Sequence, residues 1–80
     1  MNRFVRLASG QMIIDEIKER LSPEFQPFAI RLSDGRRFNV PHRDFIALGS
    51  KIVVVIDERE ISHTINPVHI VSLEETARSN

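Results

Sequence analysis

Ile13, Ile14, Ile17 and Leu21 recur at intervals of three and four, a spacing that predicts a helix over residues 12–21 with one apolar stripe. Ser9 or Gly10 marks its start, and Ser22-Pro23 ends it, because proline disfavours helical geometry in the residue before it. Glu16 and Arg20 stand four apart in the favourable order, which adds only ~0.2–0.5 kcal/mol. From Phe28 the period drops to two. Phe28, Ile30 and Leu32 share one face of a strand, and Phe38 and Val40 must share that face on the return strand. Parity then sets the loop. A two-residue Asp34-Gly35 loop would put Leu32 opposite Arg37 and turn Phe38 outward, whereas a loop of Ser33, Asp34 and Gly35 pairs Ile30 with Phe38. In the three-residue loop Gly35 takes the left-handed position that residues with a β-carbon resist.

Beyond Pro41, the residues Phe45, Ile46 and Leu48 lead to a Gly49-Ser50 turn. Ile52, Val53, Val54, Val55 and Ile56 follow as a β-branched run without alternation, which predicts a strand buried on both sides. A small barrel covers only the inner side, so the outer side calls for either the N-terminal helix or another subunit. These five residues are the candidate interface. Lys51 and Asp57 flank the run as charges that oppose aggregation. A polar loop over residues 57–60 leads to Ile61, His63 and Ile65 on one face, so His63 is expected to be hydrogen-bonded and partly buried. Asn66-Pro67-Val68-His69 has the pattern of a capped helical turn, before a last strand over residues 70–74. The order predicts a mainly β protein with one N-terminal helix (α+β), laid out as a small Sm-like or Src-homology-type barrel of four to five antiparallel strands. A helix on an open curved sheet is the alternative. Residues 12–75 make the domain, residues 76–80 a loose polar tail, and residues 1–11 either a poorly ordered leader or an extension.

Eighty residues limit the chain to one domain with little stability to spare. A formal net charge of 0 argues against a general polyanion-coating role, so charge has to be considered locally. No cysteine is present, which removes disulfides and thiolate metal sites and fits a reducing cytoplasm. Arg3, Arg6, Ser9 and Gly10 interrupt the N-terminal apolar residues, so neither a secretory core nor a membrane span can be drawn. A cytoplasmic protein that does not enter membranes is expected. Within residues 31–43, four arginines face the single acid Asp34, and the hairpin register sets Arg31 directly against Arg37. Arg31, Arg36, Arg37 and Arg43 are therefore either a solvated face balanced by acids such as Asp44 or Glu24, or a patch for phosphate, carboxylate or an acidic partner.

The stretch PFAIRLSDGRRFNVPHRDFIAL, then VVVID and INPVHIVSLE, resembles a family of short uncharacterised bacterial proteins with the pattern PFxPFxIxLxDGRxFxVxHPxFxAL, a TVVV-type strand and a final VxxIE. The resemblance spans about residues 12–75. Arg43 stands where that pattern has proline after the histidine matching His42, and residues 1–11 have no counterpart. The family has no established activity, so the resemblance implies none.

Catalytic chemistry finds little support. His42-Arg43-Asp44 shares letters with a kinase catalytic loop, but the glycine-rich loop, strand lysine and magnesium-binding aspartate of a kinase are missing. His42, His63 and His69 match no compact zinc spacing. Pairs such as His42-Asp44 or His69-Glu74 with Ser50 or Ser72 lack an oxyanion site. No catalytic, cofactor or metal residues are assigned. The leading expectation is a non-enzymatic binding or self-associating module whose partner is a second copy or another protein. Nucleic-acid or anion binding through the arginines is the alternative, weakened by the absence of Tyr and Trp.

Overall fold

The computed structural model describes residues 10–76, so most of the expected leader and residues 77–80 lie outside the described residues. The chain is mainly β with one helix. Helix α1 spans Gly10–Arg20, with Lys18 and Arg20 in the last turn, where cations oppose the negative end of the helix dipole. Its final carbonyls, on Ile17, Lys18 and Glu19, accept from Leu21 and Ser22 before Pro23 stops the turn.

Six strands follow: β1 (Phe28–Leu32), β2 (Arg37–Val40), β3 (Ile46–Leu48), β4 (Val53–Ile56), β5 (Ser62–Ile65) and β6 (Ile70–Glu75). They form two three-stranded antiparallel sheets, ordered β2-β1-β6 and β3-β4-β5. Six strands rather than four to five arise because the chain breaks after Val40. Pro41 has no N–H to extend the ladder, and a 3-10 turn at Arg43–Phe45 intervenes before pairing resumes at Ile46.

The first hairpin has the expected register, with Ile30 opposite Phe38 and Arg31 opposite Arg37. Leu32 N donates to Arg36 O at 2.8 Å and Gly35 N to Leu32 O at 3.0 Å, so the loop is Ser33, Asp34 and Gly35, with Gly35 at φ +95°. The β4–β5 hairpin repeats this turn. Asp57 N donates to Ile61 O at 3.0 Å and Glu60 N to Asp57 O at 2.8 Å, with Glu60 in Gly35's place at φ +65°. The Gly49 turn is narrow as well, since a β-carbon there would stand 3.1 Å from Ile52 Cγ1.

One core joins the helix and both sheets. Ile13, Ile14 and Ile17 of α1 meet Phe28, Ile30 and Val40 of the first sheet and Val53, Val55 and Ile65 of the second. Between the sheets, the Phe38 ring lies 4.8 Å from that of His63. The helix rests against a 3-10 turn at Pro67–His69, where Asn66 Oδ1 accepts from Val68 N at 3.1 Å as the capping pattern predicts.

Within the single chain the β-branched run is fully buried on one side only. Val53 and Val55 have no exposed surface, Val54 and Ile56 are half-buried, and Ile52 precedes the strand and is exposed. β4 is the centre of a sheet whose inner face meets the core, while α1 adds its isoleucines to that same core. Among the described residues no helix is long and apolar enough to cross a membrane.

Candidate functional site

Alternation along β2, β1 and β6 sends Arg37, Asn39, Ala29, Arg31, Ser72 and Glu74 to the outer face of the first sheet. Two arginines abut there, and Glu74 lies between them. Arg31 Nε donates to Glu74 Oε2 at 2.7 Å and Nη2 to Oε1 at 3.5 Å, while Arg37 Nε reaches Oε1 at 3.1 Å. Hydrogen bonds from Arg31 and then Arg37 hold the Glu74 carboxyl at about 2, and the same bond raises Arg31. Ser72 Oγ adds a donor to Oε2, and Asn39 Oδ1 accepts from Arg37. Ala29 sits on this row between Asn39 and Glu74, with no exposed surface.

The other two arginines of the candidate patch are engaged elsewhere. Arg36 pairs with Asp34 at 2.9 Å, and Asp34 also accepts from Arg36 N, the larger cause of its lowered pKa. Arg43 donates to the Ser22 carbonyl at 2.8 Å and lies over the Phe25 ring. The acids that balance the face are thus Glu74 and Asp34, in place of the expected Asp44 and Glu24. Glu74 was missed because its partners stand 43 and 37 residues away, and only the pairing of β6 with β1 brings them together.

The outer face of the second sheet has a different chemistry. Ala47 lies opposite Val54 and Val54 opposite Thr64, with Ile56 opposite Ser62, so the face carries Ala47, Val54, Ile56, Ser62 and Thr64 and no charge. Of the candidate interface residues, Val53 and Val55 belong to the core, and Ile52, Val54 and Ile56 remain to meet a partner. Ile61, exposed, follows the loop at the end of the same hairpin.

The three histidines stay apart in their roles. His63 Nε2 lies 2.8 Å from Asp57 Oδ2, and Asp57 Oδ1 accepts from Arg59 N at 2.8 Å and Ile61 N at 3.0 Å. These bonds, His63 first, hold Asp57 at about 2, so this pair closes the β4–β5 turn. His42 is exposed before the 3-10 turn at Arg43–Phe45, and His69 is exposed where its carbonyl accepts from Ser33 N. Among the described residues no group of three or more His, Cys, Asp or Glu could hold a metal ion. A surface pocket of about 250 Å³ is lined by Pro27, Asn39, Pro41, Phe45, Ile56, Glu58 and Thr76. Comparison with known proteins finds no matching family model, no matching curated protein and no matching solved structure.

Proposed function

We propose that the protein is a non-enzymatic, self-associating module that docks a second copy through the outer face of β3-β4-β5. The observation that carries this reading is the absence of charge across Ala47, Val54, Ile56, Ser62 and Thr64. An uncharged sheet face centred on Val54 and Ile56 packs well on its own copy, sheet to sheet at ~10 Å, and offers a charged partner nothing to pair with. The first sheet supplies the contrast, since its outer face is filled by an internally bonded charge network.

The same proposal takes the two sheets as halves of one small barrel of the Sm-like or Src-homology type. Its support is that β2 leads to β3 through only residues 41–45, β5 leads to β6 through a 3-10 turn, and both sheets share one core. The sequence resemblance to the short bacterial proteins fits this layout and adds no activity. Anion binding through Arg31, Arg36, Arg37 and Arg43 ranks behind self-association, because each guanidinium already has an acceptor within the chain.

Light scattering across a range of concentrations tests the leading reading. The wild type is expected to run as a dimer or higher assembly that dissociates on dilution, and Val54→Arg to run as a folded monomer. A wild type that stays monomeric at every concentration refutes the proposal.

A further inference from the structure

The pocket has apolar lining from Pro27, Pro41, Phe45 and Ile56, with polar groups from Asn39, Thr76 and Glu58. Among the described lining residues, Glu58 brings the only charge. Among the described residues no ion pair or hydrogen bond engages that carboxylate, as is also true of Glu24, Asp44 and Glu60, but of these only Glu58 lines the pocket.

We infer that this pocket binds a basic side chain, lysine or arginine, of a partner protein. The chemistry of such a side chain matches the lining part by part. Its methylene stem covers apolar surface while its head stays polar, and a free carboxylate together with an aromatic ring at Phe45 suits the cationic head. A purely apolar occupant would bring Glu58 out of water with no counter-charge, and an acidic one would be repelled. A bare metal ion would meet one carboxylate, too few ligands to hold it. Size points the same way, since pockets for drug-sized ligands and cofactors span roughly 300–1,000 Å³. At about 250 Å³ this one suits a single side chain. The pocket shares Ile56 with the uncharged face, while its charge comes from Glu58 in the turn after β4, so the titration is run on the Val54→Arg monomer as well as on the wild type.

The test is a titration of the isotopically labelled full chain, followed by backbone amide shifts, with the peptide acetyl-Ala-Ala-Lys-Ala-Ala-amide. Counterparts carrying norleucine or glutamate in place of lysine serve as controls. The lysine peptide is expected to move Phe45, Ile56 and Glu58 saturably, the norleucine peptide to bind about tenfold more weakly, and Glu58→Gln to erase that difference. Glu58 is exposed in a turn, so this variant keeps the fold. Equal binding of the norleucine or glutamate peptide, or no saturable shift at the pocket, overturns the inference. So does dissociation of the assembly by Glu58→Gln, which would make a basic residue of a second copy the occupant. Light scattering on the same samples separates that outcome from a failure of self-association itself.

Discussion

Gly35 and Glu60 occupy the same left-handed position in two loops of the same length, and only one of them is glycine. A residue with a β-carbon costs about 1–2 kcal/mol there, and glycine returns part of that through its larger unfolded-state entropy. Glu60→Gly is therefore expected to stabilise the protein by about 0.5–1 kcal/mol, read from the midpoint of urea unfolding. Gly35→Val should lose about 1–3 kcal/mol in the same assay. Nothing lies within 4 Å of a β-carbon at Gly35, so that loss is conformational and not steric. Protonation gives a second residue-level expectation. Glu74 falls from its ordinary 4.5 to about 2 and Asp57 from 3.8 to about 2, so both are more acidic folded than unfolded. Their contribution is complete above the unfolded values and is lost as pH falls from about 4.5 towards 2. Urea midpoints measured down through that window should drop steeply in the wild type and less steeply in Glu74→Gln.

At the scale of the element, local patterns told most where the partners are close in sequence. The parity of Ile30 and Phe38 was enough to settle both loop length and register of the first hairpin, because a one-residue slip would turn every apolar side chain outward. The helix and the Asn66 cap were legible for the same reason. The run at residues 52–56 left open what covers its outer side, because apolar residues on both sides of a strand look alike whether that side meets a helix, another subunit or neither. For the four clustered arginines the sequence left both a solvated, acid-balanced face and a ligand patch, and the acid that bonds two of them arrives on the last strand. The uncharged outer face of β3-β4-β5 could not be drawn from the chain alone, since it needs the register of three strands. The arginine element yields its own expectation: Arg31→Glu with Arg37→Glu should leave retention on heparin unaltered. A marked fall in retention would restore the anion-binding reading.

For the whole molecule, the helix and both sheets depend on one another. An isolated helix of about eleven residues is marginal in water, so α1 persists because its isoleucines enter a core that neither sheet can close alone. Ile17 has no exposed surface, and Ile17→Ala is expected to cost about 2–5 kcal/mol. Set against the ~5–15 kcal/mol usual for folded domains, with small domains near the lower end, such a loss threatens the entire fold. Loss of helical and sheet circular dichroism in one shared transition would mark that dependence; two separate transitions would refute it. Ala29 exerts a quieter control over the same architecture. It has no exposed surface on the outward row between Glu74 and Asn39, next along β1 to the salt-bridged Arg31. A bulkier residue there is expected to crowd the row that holds Arg31 and Arg37 on their shared carboxylate, so girth at one neutral position bears on whether that surface can be freed to grip an anion.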